Sequence, residues 1–217
     1  MLVLAHRGLH RDHPENTLAA FEAAVKLKLD GIEIDVRLSG DGLPVLIHDR
    51  VLHKDKPVAE LARSEAEALL GLRVPTLDEA LDAFGDILWN IEIKTPDVLP
   101  AALKILRRYR KTRRLLLSSF RHEVVRQCAE SLDVECALLS AQRPAQLREL
   151  LDAAENRPKI RTLIWDYNIF DDTLLGPAAA SGWQTWIYGA VTLAEHRHCA
   201  RLNLAGLITD YPWFLQK

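Results

Sequence analysis

The stretch that decides the fold lies at residues 31–49 and reads GIEIDVRLSGDGLPVLIHD. It contains two apolar segments, Gly31–Val36 and Pro44–His48, which we interpret as strands. Only residues 37–43 separate them, whereas a parallel crossover needs about a dozen residues or more. The two strands are therefore predicted to form a hairpin. A turn centred on the Asp-Gly pair at 41–42 would put Asp35 opposite His48 on one face.

Outward from this stretch, short apolar segments alternate with amphipathic ones, which is typical of β/α units on a parallel sheet. The predicted strands are Leu2–Ala5, Gly31–Val36, Pro44–His48, Leu88–Lys94, Leu115–Ser119, Glu135–Ser140, Thr162–Asp166, Gln184–Tyr188 and Gly206–Thr209. This pattern, without a Gly-rich nucleotide loop, favours an α/β fold of the (β/α)8 TIM-barrel type. The barrel is expected to be irregular, with a helix-less connection between the second and third strands. We expect residues 1–217 to form one domain.

Helices are predicted between most of these strands. The first carries Leu18, Phe21, Val25 and Leu29 at spacings of three and four. Further helices are predicted at residues 77–84, 98–110, 121–131, 143–154, 171–180 and 192–201. Residues 50–75 form the longest stretch without a strand signal and include a helical pattern at Ser64–Leu70. We expect this segment to pass over the barrel mouth, where it either contacts substrate or closes a gap.

Composition excludes several classes of protein. The 217 residues are 48% hydrophobic, which excludes disorder, and 28 Lys+Arg against 30 Asp+Glu, without a basic run, argue against a nucleic-acid partner. Three cysteines without C-x-x-C spacing predict free thiols and a cytoplasmic location. No run of 18 apolar residues exists, and five residues before the His6-Arg7 pair are too few for a signal-peptide core, so neither membrane insertion nor export is expected.

Polar residues cluster at the ends of the first four predicted strands. In a β/α barrel these ends converge, so the side chains are expected to meet. Glu33 and Asp35 are two apart and share a face of their strand, and Glu92 and Lys94 repeat the arrangement. The expected site consists of His6, Arg7, Glu33, Asp35, His48, Glu92 and Lys94. The alternative is that the strands are half exposed and these residues form only their solvent-facing side.

The three carboxylates of Glu33, Asp35 and Glu92 predict a metal site. At about 4 Å apart they would repel by roughly 4 kcal/mol per pair at an effective dielectric of about 20. A bound divalent cation removes this penalty. Oxygen ligands, without cysteine or paired histidine, favour Mg²⁺ or Ca²⁺ over zinc.

The remaining residues of the expected site indicate phosphoester chemistry. His6 and His48 can exchange protons near neutral pH, because an imidazole has an ordinary pKa near 6.5. Arg7 and Lys94 add positive charge that suits phosphate oxygens. Since no Ser or Cys nucleophile stands in an evident triad, the residues point to acid–base cleavage of a phosphoester.

Taken together, the motifs resemble the glycerophosphodiester phosphodiesterase family. The matching segments, in chain order, are His6–Gly8, Glu15–Thr17, Gly31–Val36, Asp41-Gly42, Pro44–Asp49, Pro75–Ala80 and Ile91–Lys94, with weaker matches at residues 118–120, 185–186 and 207–212. The resemblance implies a (β/α)8 barrel and metal-dependent hydrolysis of small glycerophosphodiesters to sn-glycerol 3-phosphate and an alcohol.

The resemblance also implies a role for each residue of the site. Glu33, Asp35 and Glu92 correspond to the metal ligands; His6 and His48 correspond to the acid–base pair, and Arg7 and Lys94 to the phosphate-binding residues. It further implies that Glu15 supports the site from behind these groups. Independently of the resemblance, Asn16 or Thr17 is expected to cap the first helix. The segment after Asp49 is shorter than in the family, which leaves the alcohol-side contacts open, and residues 165–168 match no family pattern.

The sequence offers a few further candidate residues and leaves two alternative functions open. Trp186 is a candidate contact for the glycerol moiety, and His10 and His13 are candidates for the entrance. His196 and His198 are interpreted as structural or exposed, because positions two apart on a helix do not share a face. The alternative functions are phospholipase C-type cleavage through a cyclic phosphate, and binding of phosphodiesters without catalysis. The absence of an amphipathic membrane-binding helix favours water-soluble diesters.

Overall fold

The computed structural model describes residues 1–53, 55–152, 154 and 157–215. Within them the strands are β1 (Leu2–His6), β2 (Gly31–Leu38), β3 (Pro44–Leu46), β4 (Val51–Leu52), β5 (Lys56–Pro57), β6 (Leu88–Ile93), β7 (Arg114–Ser119), β8 (Glu135–Ser140), β9 (Ile160–Asp166), β10 (Gln184–Tyr188) and β11 (Gly206–Thr209). The helices are α1 (Leu18–Lys26), α2 (Arg63–Leu70), α3 (Leu77–Ala83), α4 (Leu99–Tyr109), α5 (His122–Ser131), α6 (Leu147–Asp152), α7 (Leu175–Ala180) and α8 (Leu193–Arg201). No helix in this part of the chain is both long and apolar enough to cross a membrane.

Eight parallel strands of the described chain close into a barrel in the order β1, β2, β6, β7, β8, β9, β10, β11. Closure occurs where β1 pairs in parallel with both β11 and β2. The predicted TIM barrel is therefore confirmed, together with its irregular unit, because β3 follows β2 without a helix and pairs with it antiparallel. In this topology the C-terminal ends of the parallel strands share one rim.

The register of the β2–β3 hairpin differs from the prediction by one residue. Val36 pairs with Leu46, and the Ile47 amide donates to the Asp35 carbonyl at 3.1 Å, so Asp35 lies opposite Ile47 and not His48. The reason is the turn, in which the Ser39 amide donates to the Leu43 carbonyl at 3.0 Å and encloses three residues. That loop centres on residue 41 alone. His48 consequently lies beyond the end of β3.

The excursion at residues 50–75 contains two strands that the sequence analysis missed. β4 and β5 pair antiparallel, but each is only two residues long, too short for a recognisable alternation. With α2 they pack on the hairpin through a separate apolar cluster that includes Val45, Ile47 and Val58. Lys54, within this predicted excursion, lies outside the described residues.

Most helix boundaries agree with the predictions to within one or two residues. α1 ends before Leu29 because Lys28 adopts a left-handed backbone with φ of +57°. α6 begins at Leu147 and not at residue 143, where the following Pro144 disfavours a helical backbone. α7 begins at Leu175, after a short 3₁₀ turn at Asp172–Leu174. Ala153, near the end of the predicted helix at 143–154, lies outside the described residues.

The core has two parts, and the inner one sets the depth of the site. Between barrel and helices, Phe21 packs edge-on against Trp89, with ring centroids 5.5 Å apart. Inside the barrel, apolar side chains from seven strands form a second cluster: Leu4, Leu88, Leu116, Ala137, Leu139, Ile164, Trp186 and Ile208. These residues fill the lower lumen, so polar groups further along the same strands lie at the rim.

Candidate active site

A cavity of about 230 Å³ opens at the C-terminal rim of the barrel. Its walls combine charged residues on one side with apolar and aromatic residues on the other. The lining residues are His6, Arg7, Glu33, His48, Asn90, Glu92, Lys94, Phe120, Leu139, Tyr188 and Ile208. Six of the seven expected site residues line this cavity, and the seventh, Asp35, lies directly behind it in contact with Arg7 and Lys94.

Three buried carboxylates meet beside the cavity. Glu33, Asp35 and Glu92 each offer an oxygen, and these oxygens lie within 4.8 Å of one another. Burial, together with the charges of Asp35 and Glu92, raises the pKa of Glu33 well above its ordinary value. Burial also raises the pKa of Glu92. The alternation along β2 and β6 thus points the carboxylates into the lumen, as the E-x-D and E-x-K spacings predict.

Two basic side chains partly compensate these carboxylates. Lys94 Nζ lies 2.9 Å from Asp35 Oδ1 and 2.8 Å from Glu92 Oε1, and Arg7 Nε lies 3.2 Å from Asp35 Oδ2. Burial acts to raise the pKa of Asp35, but the charges of Lys94 and Arg7 outweigh it and hold that pKa below its ordinary value. Burial lowers the pKa of Lys94, but Asp35 and Glu92 outweigh it and raise that pKa overall.

The cluster fits a divalent cation. The two basic groups contact two of the three carboxylates directly, and burial together with the charges of Asp35 and Glu92 raises the pKa of Glu33, which disfavours its anionic form. A cation among the carboxylate oxygens would supply the missing charge. The donor set consists of hard oxygen ligands, which suit Mg²⁺ or Ca²⁺.

The loop after β1 holds the cluster through two residues with unusual backbone angles. Arg7 and Asn16 have φ of +55° and +56°, in the left-handed region. The Arg7 amide donates to Glu33 Oε2 at 3.1 Å, and Arg7 Nη1 donates to Glu15 Oε2 at 2.8 Å. Glu15 thus contacts the guanidinium of Arg7 from outside the cavity lining.

Asn16 binds Asp35 and does not cap α1. Its Nδ2 donates to Asp35 Oδ2 at 2.9 Å, and its Oδ1 accepts from the Asp35 amide at 3.2 Å. The helix cap is Thr17, whose hydroxyl accepts from the Ala20 amide at 3.3 Å. The sequence left the cap open between Asn16 and Thr17, because both side chains suit that position.

His6 is held by an acidic residue that the sequence analysis did not select. Its Nδ1 lies 2.6 Å from Asp210 Oδ1, while its Nε2 faces Glu33 Oε2 at 3.8 Å. His10 Nε2 lies 2.8 Å from the same Asp210 oxygen. Burial raises the pKa of Asp210, but its hydrogen bonds to His10 and His6 outweigh it and lower that pKa overall. The available signal was the position of Asp210 directly after the last strand, which borders β1 in a closed barrel.

His48 reaches the cavity from the segment that follows β3. Its Nδ1 lies 2.9 Å from Asp49 Oδ1, and its carbonyl accepts from Arg37 Nε at 2.8 Å. The Arg37 contact anchors the backbone beyond the hairpin. Both histidines therefore have Nδ1 engaged by a carboxylate and border the same cavity.

Trp186 does not line the cavity. Its side chain is 3% exposed in the apolar lower lumen, where it covers Gly206, and a Cβ atom at residue 206 would lie 2.3 Å from the indole. Two residues further along β10, Tyr188 lines the cavity instead and packs edge-on against Phe120, with ring centroids 6.0 Å apart. Burial and the neighbouring Asp166 raise the pKa of Tyr188, so this side chain is neutral. The sequence carried no signal that separated these two aromatic positions.

The other histidines that the sequence analysis weighed lie outside the cavity lining. His196 is buried, with Nδ1 2.7 Å from the Thr192 carbonyl and Nε2 2.6 Å from Thr209 Oγ1, which is a structural role as predicted. His198 contacts Tyr167, with Nδ1 3.1 Å from the tyrosine oxygen. His10 does not line the cavity but contacts Asp210 and packs edge-on against His6, with ring centroids 6.0 Å apart, and His13 does not belong to the lining either.

Comparison with known sequences identifies the family. The profile described as "Glycerophosphoryl diester phosphodiesterase family" matches residues 6–213. A glycerophosphodiester phosphodiesterase of Caldanaerobacter subterraneus subsp. tengcongensis is 38% identical over 146 residues, which cover 58% of this chain and 60% of that protein. One of Bacillus subtilis is 26% identical over 252 aligned positions, which cover 100% of this chain and 86% of that protein.

Solved structures agree with this match. The glycerophosphodiester phosphodiesterase of Thermotoga maritima has a TM-score of 0.84 at 27% identity, over 97% of this chain and 94% of that one. An Oleispira antarctica phosphodiesterase, solved in complex with the product sn-glycerol-3-phosphate, has a TM-score of 0.87 at 24% identity, over 100% and 95% of the two chains. At 24% identity, the similarity to the Oleispira antarctica protein by itself shows only a shared fold. With the family profile covering nearly the whole barrel, the chain belongs to the glycerophosphoryl diester phosphodiesterase family.

Proposed function

We propose that this protein hydrolyses glycerophosphodiesters to sn-glycerol 3-phosphate and an alcohol, with one divalent cation, Mg²⁺ or Ca²⁺, as cofactor. The observation that carries the proposal is the convergence of three buried carboxylates and two histidines on one cavity. Membership of the family supports the reaction class, and the product bound to the Oleispira antarctica protein supports glycerol 3-phosphate as the phosphate product.

Glu33, Asp35 and Glu92 are the proposed ligands of the cation. When bound, the cation supplies positive charge that stabilises the phosphate oxygens as negative charge develops on them. Asn16 and Lys94 hold Asp35 from two sides, so this carboxylate is oriented before the substrate arrives.

Arg7 and Lys94 are the proposed phosphate-binding residues. An ammonium group has three donors, and Lys94 directs two of them to Asp35 and Glu92, which leaves one for a phosphate oxygen. Arg7 has Nε at Asp35 and Nη1 at Glu15, so Nη2 is the guanidinium nitrogen left for the substrate. Because both groups are anchored, they bind phosphate without first losing much side-chain freedom.

His6 and His48 are the proposed acid–base pair. In each ring Nδ1 is engaged by a carboxylate, so Nε2 is the nitrogen left to exchange a proton in the cavity. One imidazole takes the proton of the attacking water, and the other donates a proton to the departing alcohol oxygen. The water attacks phosphorus, the bond to the alcohol oxygen breaks, and the net reaction adds one water across that bond.

The proposal extends to the context in which the enzyme acts. The substrate is a small water-soluble diester, no nucleic acid takes part, and residues 1–217 work as one domain. The compartment is the cytoplasm, which is supported by Cys128, Cys136 and Cys199, all of them buried free thiols that suit a reducing environment.

The decisive experiment measures glycerol 3-phosphate release from a panel of glycerophosphodiesters, with added Mg²⁺ or Ca²⁺ and with EDTA. We expect release with one of the ions and its loss in EDTA. Accumulation of a cyclic phosphate in place of glycerol 3-phosphate would favour the phospholipase C-type route. Binding of the diesters without turnover under any ion would favour a noncatalytic role, and His48→Ala provides the inactive control.

A further inference from the structure

Asn90 is a fully buried amide at the base of the cavity. It lies on β6, two residues before Glu92, and therefore on the same lumen-facing side of that strand. Its side chain belongs to the cavity lining. In the parallel register Asn90 pairs with Glu33 on β2 and precedes Glu92 by two residues on β6, so it neighbours two of the three carboxylate residues.

The hydrogen bonds of Asn90 determine which way its amide points. Nδ2 donates to the Leu116 carbonyl at 3.2 Å and to Ser118 Oγ at 2.8 Å, both on β7. The opposite orientation would put two oxygens, those of the amide and the Leu116 carbonyl, against each other. Oδ1 therefore points away from β7, and within the described residues it has no protein hydrogen-bond partner.

A buried acceptor without a partner destabilises a fold, so a ligand that donates a hydrogen bond here gains affinity. The nearby protein groups do not fill this role. Glu33 and Glu92 act as acceptors when ionised, and Lys94 already binds two carboxylates. Of the parts of a glycerophosphodiester, the ionised phosphate has only acceptors, whereas the glycerol moiety has hydroxyl groups that donate.

We propose that Asn90 is a specificity-determining residue, whose Oδ1 accepts a hydrogen bond from a hydroxyl group of the glycerol moiety. This inference rests on the proposed function, since it names how the same cavity distinguishes glycerol phosphates from phosphates of simple alcohols. A cavity with a buried acceptor rejects a ligand that lacks the matching hydroxyl, because the acceptor then stays unpaired.

The test compares two ligands on one protein by titration calorimetry, with the same divalent cation present. The probes are sn-glycerol 3-phosphate and propyl phosphate, which has the same carbon chain without hydroxyls. We expect the wild-type protein to bind the glycerol compound about 10- to 100-fold more tightly. Asn90→Leu, of similar volume, should lower that ratio about tenfold. An unchanged ratio in Asn90→Leu, or no preference in the wild-type protein, overturns the inference.

The readout is the ratio of the two ligand affinities measured on one protein. A variant that folds less completely or binds less cation lowers both affinities equally, so the ratio does not change for that reason. Ser118→Ala is the matched control: it removes one partner of Nδ2 but leaves Oδ1 and the Leu116 contact, so the ratio should be kept. A fall as large as that of Asn90→Leu would show that the ratio follows β6–β7 packing and would overturn the inference. If Asn90→Leu does not fold, Asn90→Ala tests the same loss of the oxygen.

Turnover of a glycerophosphodiester by the wild-type protein separates this inference from the proposed function. If the wild-type protein turns over the diester but the affinity ratio of the two ligands is the same in Asn90→Leu, the proposed function is supported and the inference is overturned. If the affinity ratio falls in Asn90→Leu but the wild-type protein shows no turnover, glycerol recognition by Asn90 is supported and the proposed hydrolytic function is overturned.

Discussion

His6 Nδ1 lies 2.6 Å from Asp210 Oδ1, although the two residues are 204 positions apart in the chain. The contact exists because β1 and β11 are neighbours, with Ala5 paired to Thr209, so the residues that follow these pairs meet at the rim. The carboxylate accepts the Nδ1 proton and turns Nε2 toward the cavity. Asp210 is thereby the residue that selects the tautomer of His6.

Asp210→Asn is expected to lower kcat by about 10- to 100-fold with little change in KM. The amide keeps the size of the side chain but loses the charge that holds the Nδ1 proton, so His6 loses part of its contribution to proton transfer. KM changes little because Asp210 is not part of the cavity lining. Steady-state kinetics of diester turnover measure both constants. His10→Gln, which leaves the His6–Asp210 contact in place, is the control, and an unaltered kcat in Asp210→Asn would contradict the assigned orientation.

His6→Ala and His48→Ala are each expected to reduce kcat by roughly 10² to 10⁴, while cation affinity stays close to that of the wild-type protein. Each substitution removes a proposed proton-transfer group but none of the three carboxylates. Turnover assays combined with calorimetric titration of Mg²⁺ or Ca²⁺ separate the two effects. If either variant lost cation binding together with activity, the histidine concerned would be a ligand and not an acid or base.

Glu33→Gln is expected to weaken cation binding and to stabilise the cation-free protein as pH rises. The folded-state pKa of Glu33 lies well above its ordinary value of 4.5, so the wild-type protein takes up this proton on folding. Its free energy of unfolding therefore decreases as pH rises from the ordinary pKa toward the raised one. Glutamine has no such dependence.

Thermal unfolding in EDTA across a pH series measures this effect. The difference in Tm between Glu33→Gln and the wild-type protein should grow with pH over that window. Added cation should reverse the difference, because it stabilises the wild-type protein more than the weaker-binding variant. A difference that stays constant with pH would show that the carboxylate is not buried against its neighbours as described.

Asn16→Ala is expected to destabilise the protein by about 1–3 kcal/mol, because the buried Asp35 loses two hydrogen bonds. Asn16→Gly loses the same bonds but relieves the left-handed backbone at φ of +56°, so it should be more stable than Asn16→Ala by about 1 kcal/mol. Denaturant unfolding of both variants measures the two contributions. Equal stability of the pair would contradict the backbone argument.

Much of the fold was predictable because its signals are local. All nine predicted strands occur, and β8, β10 and β11 have the predicted bounds. A run of apolar residues specifies a strand wherever it lies in the barrel. β4 and β5 could not be predicted, since two residues carry no alternation, and the hairpin register could not either, since it depends on one hydrogen bond within the turn.

Part of the candidate site was predictable for a similar reason. Residues two apart on a strand share a face, so the sequence spacing alone places Glu33 and Asp35 on the same side of β2. The parallel pairing of β2 with β6 then brings Glu92 next to Asp35. The roles of these residues remain predictions. Spacing also places Asn90 on the same face of β6 as Glu92, but nothing local shows that Asn90, Asn16 or Asp210 has a partner on another element, because those contacts depend on the tertiary structure.

The sequence by itself determined that this chain alternates strands and helices and carries carboxylates, imidazoles and basic groups at the strand ends, because side-chain direction along a strand is a local property. Only the tertiary structure decided which nitrogen of His6 faces the cavity, which amide holds Asp35, and that Tyr188 and not Trp186 lines the cavity. Those outcomes depend on how the barrel closes and at what height each strand enters its lumen, which are set by pairings between residues far apart in the chain.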